Sequence, residues 1–307
     1  MHAVRRIGID VKQNWIRYLM ILPAVAAVVI FNYLPMAGLV MAFQQQDFAA
    51  GLFRGEWVGL KNFEFLFATQ DAWIITRNTV LYNVVFIILG NILTIGLALI
   101  LNEMLSKRLT KTLQTIYIMP HFLSMVVLSM VLFAFLSPNF GFVNNLLVSL
   151  GKEPVEWYHI KGPWPYLIVL VNMYSQVGYG SILYTAVISG ISTEFYESAV
   201  LDGASKLQQI WYITLPQLKP ILCINLIQGI GRMFRSDFGL FYTVPRDSGL
   251  LYDVTNTLDT YIYRGLTTMN NQSMTTAAGL YQSVVGLILV LIANKIIASL
   301  DEDCAMF

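Results

Sequence analysis

In the stretch NLIQGIGRMFRSDFG, the residues Asn225, Gln228, Arg232 and Arg235 recur at offsets of 0, 3, 7 and 10. At about 100° per residue on a helix they fall within an arc of roughly 80°, so they form one polar stripe. A second stretch repeats the device, because Asn172, Ser175, Gln176 and Tyr179 fall within about 100° of arc by the same arithmetic. Amides, with small residues such as Gly178, Gly180, Gly229 and Gly231, also serve plain helix packing in a membrane. The arginines fit that reading less well. Even on a lenient scale an arginine near mid-membrane costs about 2.5–3.5 kcal/mol, so two on one face imply a watery cavity, a bound anion or an acidic partner. The competing reading is that both lie near a helix end and snorkel to headgroups. Asp237 is about 200° from Arg235 around the helix and cannot neutralise it by sharing its face. A guanidinium left in that position attracts a carboxylate through paired hydrogen bonds.

The elements that carry these stripes are membrane spans. The chain of 307 residues is 56% hydrophobic and only 12% charged, whereas soluble domains carry about a quarter charged residues. A span needs roughly 20 mostly apolar residues. Six such runs are found: Tyr18–Phe43, Thr79–Leu101, Thr115–Leu136, Tyr166–Gly190, Pro220–Phe238 and Ala278–Ile297. The first is too long for a signal peptide and no small-residue cleavage site follows it. An even number of spans puts both termini on one side. Arg5, Arg6, Lys12 and Arg17 precede the first span, and Lys107, Arg108 and Lys111 fill the short loop after the second, so that side is expected to be the cytoplasm. The expected organisation is a cytoplasmic arm (1–17), a six-span domain (18–300) with a polar loop at about 192–219, and a cytoplasmic tail (301–307). The external segment 137–165 contains GKEP and KGPWP, breaker signals that suggest a structured, non-helical cap.

Several chemistries are disfavoured. A net charge of +1 gives no sign of nucleic acid. Cys223 and Cys304, and His2, His121 and His159, carry no metal or redox spacing. No metal site and no catalytic residue is expected.

One polar insert stands out between the fourth and fifth runs. In it Ser192 or Thr193 can cap a short helix with Glu194 in its first turn, and Phe195, Tyr196, Ala199 and Val200 give that helix an apolar side. Gly203 follows Asp202 where a left-handed residue would end the helix, and a second short helix runs through Ala204–Thr214 until Pro216 stops it. Its apolar side is too small to fold alone, and Glu197 is free to register it in a groove of another protein. An interfacial helix on lipid headgroups would be richer in lysine and arginine than this segment.

The pattern E-S-A, three residues, G, nine residues, I-T-L-P also resembles a family signature. It matches the cytoplasmic loop of permease subunits of bacterial binding-protein-dependent ABC importers, with Glu197, Ala199, Asp202, Gly203, Ile213, Leu215 and Pro216 in register. Ser198 departs from the usual alanine, and Leu207 and Ile210 stand where carbohydrate permeases often carry Trp and Phe. WVGLKNFEFLF, MPHFLSMVV and GFVNNLL resemble segments of the carbohydrate branch. RSDFGLFYTV and TLDTYIYRGL are similar to permeases for uronate-containing oligosaccharides of the alginate, pectin or xylan type.

The resemblance implies an all-α membrane fold of the type I ABC importer permease, with six transmembrane helices and a coupling helix-turn-helix, in the bacterial inner membrane. It implies as partners a second, different permease, two cytoplasmic ATPases, an external or periplasmic solute-binding protein and the surrounding membrane lipid. No phosphate-cradling loop occurs in the chain, so ATP and Mg are expected on the partner subunits and no cofactor on this one. The implied cargo is an oligosaccharide, and the arginines favour an acidic one over a neutral one. An ion-driven transporter would more often show acidic residues within spans and an internal repeat. A membrane enzyme needs convergent acids or an activated nucleophile, and the spans offer no such pair.

Overall fold

The computed structural model describes residues 13–45, 55–104 and 106–300; the expected basic arm up to residue 12 and the tail 301–307 lie outside them. Along the chain run α1 (Trp15–Phe43), α2 (Gln70–Asn102), α3 (Lys107–Ile118), α4 (Met125–Leu136), α5 (Phe142–Ser149), α6 (Trp164–Ser189), α7 (Thr193–Leu201), α8 (Lys206–Gly231), α9 (Leu258–Thr267) and α10 (Gln272–Leu300). Among the described residues the strand-like pairing is an isolated bridge between Gln44 and Trp57. Helices α1, α2, α6, α8 and α10 are long and apolar enough to cross a bilayer.

The third expected span, Thr115–Leu136, is not one straight helix. Pro120 lies in a 3-10 turn, Met119–Phe122, and the helices on either side of the break meet at 100°. Proline has no N–H for the ladder and its ring clashes with the preceding turn, while Ser124 caps a fresh helix by accepting the Val127 N–H. The pair counts as a sixth span when the bend is included.

The described residues form two compact units, one drawn from 13–64 and 265–280 and the other from 65–264 and 281–300. In the first, Asn62 Nδ2 donates to the Ala42 and Gln44 carbonyls, and the Phe43 and Trp57 rings stack at 5.6 Å. In the second, Trp164, Ile168, Leu240, Phe241, Val244 and Leu251 are fully buried in one cluster. A smaller cluster joins Ala98, Tyr184, Ile188 and Leu218.

The segment 137–163 does form a structured cap, but it contains a helix, α5, contrary to the non-helical expectation. The cause is a hydrogen-bond hub. The buried Asn144 side chain donates from Nδ2 to the carbonyls of Ser137, Pro138 and Val155. Its Oδ1 accepts from the Val155 N–H and the Trp157 Nε1–H, both at 3.0 Å. Beside it, a β carbon on Gly141 would lie 2.4 Å from the Ser137 carbonyl. The GFVNNLL motif is therefore a packing instruction. Burial raises the Tyr158 hydroxyl in this cap to about 12, so it remains protonated at neutral pH. Replacing Asn144 with Leu removes the acceptor of two half-buried donors, at up to about 1–3 kcal/mol each. The cap of that variant should be cleaved by protease in detergent much faster than the wild type; an unchanged cleavage rate between 137 and 163 would remove the hub's role.

The fifth expected run, Pro220–Phe238, also differs. Its helix starts earlier, at Lys206, and ends at Gly231. Beyond that point tertiary bonds replace helical ones: Asn83 Nδ2 donates to the Met233 and Arg235 carbonyls, and Asp259 Oδ2 accepts from the Ser236 N–H at 2.6 Å and hydroxyl at 2.9 Å. Nor does Pro216 stop a helix. A wider π turn over Ile210–Thr214 precedes it, and the chain runs helically through Pro216 into the span, the loosened turn relieving the usual proline clash.

Candidate functional site

The loop at 192–219 has the cap and the bend that its sequence implies, while its second helix continues through Pro216 into the span. Ser192 caps α7, accepting the Glu194 N–H at 3.3 Å. At the other end Gly203 adopts φ +80°, its N–H donates to the Val200 carbonyl and the Ala204 N–H to that of Ala199, the paired bonds of a left-handed helix stop. Ser205 and Gln208 then form a capping box that starts α8. The Tyr196 and Thr214 hydroxyls meet at 3.0 Å across the bend, and Lys206 pairs with Glu103 at the end of α2 at 3.2 Å.

What this rigid bend presents is apolar. Leu201 is 88% exposed, Tyr212 80%, Leu207 70% and Trp211 66%. Glu197, Asp202, Gly203 and Pro216 are exposed, and Ala199, Ile213 and Leu215 are half-buried. No ion pair is found at Glu197 among the described residues. The sequence named Phe195, Tyr196, Ala199 and Val200 as the apolar side; of these Tyr196 and Ala199 are half-buried, and the larger exposed contribution comes from Leu207, Trp211 and Tyr212.

The two polar stripes are redistributed. Asn172 is half-buried. Gln176 and Tyr179 line a cavity of about 610 Å³ with Asn91, Tyr184 and Asn225. Asn225, however, donates to the Tyr184 hydroxyl at 3.0 Å, and that hydroxyl donates to Asn91 Oδ1 at 2.8 Å. Asn225 is therefore engaged in bonding α8 to α6 and α2, the packing role that amides have in membranes.

Arg232 and Arg235 do not continue the helical stripe, because α8 ends at Gly231; the angular argument fails for them. They nevertheless converge. Gln228, Arg232 and Arg235 line a separate cavity of about 460 Å³ with Gln282 and Ser283 of α10, and no carboxylate lines it. Neither arginine has an ion pair among the described residues. Gln282 was invisible to pattern reading; its amide donates to the Phe234 carbonyl and to Asp259, so it braces the irregular segment that carries both arginines.

Close glycine contacts set this geometry. A β carbon on Gly286 would lie 2.8 Å from the Gly231 carbonyl, and one on Gly178 would lie 1.7 Å from that of Tyr117.

Residues 90–301 match the family profile described as the binding-protein-dependent transport system inner membrane component. The chain belongs to that family. Over 299 residues this inner-membrane component is 33% identical to the polygalacturonan/rhamnogalacturonan transport system permease protein YteP of Bacillus subtilis, covering 97% of this chain and 92% of that protein. Over 292 residues it is 31% identical to protein LplB of the same organism, covering 95% and 91%. It also superposes on a chain from the crystal structure of a bacterial ABC transporter involved in import of the acidic polysaccharide alginate, with a TM-score of 0.86, 33% identity and coverage of 95% and 98%. The fold is that of an ABC importer permease, all-helical and membrane-spanning.

Proposed function

We propose that this permease forms half of the pathway of an ATP-driven importer for an acidic, uronate-bearing oligosaccharide. The observation that carries the reading is the cavity at Gln228, Arg232 and Arg235, where two guanidiniums and two amides meet without a lining carboxylate. A uronate supplies the missing anion, and each charged hydrogen bond it makes is worth about 1.5–3 kcal/mol. The names of the similar permeases, which include polygalacturonan and alginate transport, support the same cargo class.

The remaining assembly follows from the chain's own surfaces and from its relatives. The bend at Gly203, with exposed Leu201, Leu207 and Tyr212 around Glu197, suits a groove on a cytoplasmic ATPase, one for each of two permeases. ATP and Mg belong on those subunits. The second permease is a different chain, and an alginate importer has been crystallised with a pentasaccharide-bound periplasmic protein, which supports a solute-binding protein as the delivering partner. Both termini then face the cytoplasm.

The test compares an alginate pentasaccharide with a neutral pentasaccharide in vesicles carrying the whole assembly. Arg232→Gln and Arg235→Gln should each lower acidic uptake about tenfold or more while changing neutral uptake by less than about twofold. Equal effects on both cargoes, or none on either, would leave the arginines as headgroup anchors and withdraw the acidic cargo.

A further inference from the structure

Helices α2 and α6 leave a long groove between them, about 1030 Å³ in volume, at the upper end of what ligand sites offer. Its walls are two ladders, Leu81, Val85 and Leu89 on α2 and Tyr166, Leu170 and Tyr174 on α6. Each ladder repeats every fourth residue and so lies on one helix face. Leu81, Tyr166, Leu170 and Tyr174 are more than half exposed. The polar groups of the floor are already engaged: Asn78 Nδ2 donates to the Asp253 and Asn256 carbonyls, and the Tyr82 hydroxyl to that of Val254. Carbon is what the groove offers along its length.

The groove also has a definite depth. Arg77 and Asn78 stand at its mouth, just ahead of the apolar run that starts at Thr79, and Pro165 and Tyr166 stand where the run of α6 starts. From Arg77 to Leu89 a helix rises about 18 Å, and half of a hydrocarbon core is about 15 Å. The groove therefore runs from headgroup level to mid-membrane, the depth of one leaflet.

A cation marks the headgroup end. The half-buried Arg77 guanidinium donates from Nη2 to Asn78 Oδ1 at 3.0 Å and to the Asp253 carbonyl at 2.9 Å. Both acceptors are neutral. The Asp253 carboxylate is taken by Lys161, and no carboxylate pairs with Arg77 among the described residues. A guanidinium held in place and not neutralised is suited to a phosphate, which it meets through paired hydrogen bonds.

We propose that this groove binds one phospholipid of that leaflet, its phosphate on Arg77 and its acyl chains laid along the two ladders. Basic pockets between membrane helices hold lipid headgroups in this manner. A helix from another chain suits apolar walls equally; the cation at headgroup depth is what favours a lipid. Lipid tails are as apolar as leucine, so shape seats the chains and the guanidinium decides which lipid stays. Phosphatidylglycerol, with its net negative charge, is preferred over phosphatidylcholine, whose choline offsets the phosphate. The site depends neither on the nature of the cargo nor on which leaflet is the outer one.

The experiment counts bound lipid by native mass spectrometry on the whole assembly, stripped in detergent and titrated with either of these two lipids. Arg77→Gln should weaken the most tightly held phosphatidylglycerol about tenfold or more and erase its advantage over phosphatidylcholine. Val85→Trp, which puts an indole into the groove, should remove that lipid whatever its headgroup. Ile88→Trp, on α2 but outside the groove and 57% exposed, should leave it bound. Should Arg77→Gln fail to assemble, the two tryptophan variants decide. Phosphatidylglycerol with brominated chains then locates the site in a structure of the assembly, where bromine is expected between α2 and α6. Unchanged binding in Arg77→Gln or in Val85→Trp, equal losses in the two tryptophan variants, bromine elsewhere, or a helix of another chain lying in the groove would each overturn the phospholipid.

Discussion

Gly178→Ala should destabilise the folded chain by about 3 kcal/mol, at the upper end of what overpacking costs. Its added carbon would lie 1.7 Å from the Tyr117 carbonyl oxygen and 2.3 Å from the carbonyl carbon. Both are backbone atoms, fixed by α3, so no side chain can swing aside, and α6 would have to separate from α3 along its length. Gly96→Ala in α2 is the control, because nothing lies within 4 Å of its added carbon and alanine is the better helix former by about 1 kcal/mol. Thermal unfolding of the purified assembly in detergent should show a large loss for the first variant and none for the second. Equal midpoints would mean that α6 and α3 do not approach as closely as described.

Gly203 should fail for a different reason. There is open space around it, so substitution costs backbone strain and not a clash. At φ +80° a residue with a β carbon loses about 1–2 kcal/mol, and a β-branched one more. Uptake should therefore fall in the order Gly203→Asn, Gly203→Ala, Gly203→Val, with asparagine the mildest because it tolerates the left-handed region. Glu197→Lys should reach the same end without strain, by inverting the charge of an exposed α7 side chain for which no ion pair is found among the described residues. For Gly203→Val and Glu197→Lys we expect uptake to drop at least about tenfold, the equivalent of 1.4 kcal/mol in docking, while the spans insert normally. The measurement pairs uptake with pull-down of the ATPase subunit. Full uptake in all four variants would remove the loop from energy coupling.

These two glycines mark what could be read before the structure. Gly203, Ser192 and Glu194 act through neighbours within five residues, so spacing was enough to place the cap, the bend and the helix that they bound. The spans were legible for the same reason, since apolar length is a local property. What escaped was non-local. The expectation that α8 continues to Phe238 failed because Ser236 is held by Asp259, 23 positions away, and Arg235 by Asn83, 152 positions away. Pro120 was passed over inside the run Thr115–Leu136, and nothing in the string announces that the His121 ring stacks on that of Tyr179, 4.0 Å between centroids. The arginine pair was found by an angular argument that does not hold past Gly231, and the two residues meet in one cavity through bracing by Gln282.

The chain of bonds from Asn225 through Tyr184 to Asn91 bears on inheritance. Within a bilayer a polar group that loses its partner has no water to turn to. A substitution at Tyr184 leaves both amides unmatched, one at Asn91 or Asn225 removes one of the two bonds of the Tyr184 hydroxyl, and each becomes tolerable only when its partners change with it. Positions 91, 184 and 225, which are 93 and 41 residues apart, should therefore pass between descendants as a single unit, replaced together or kept together.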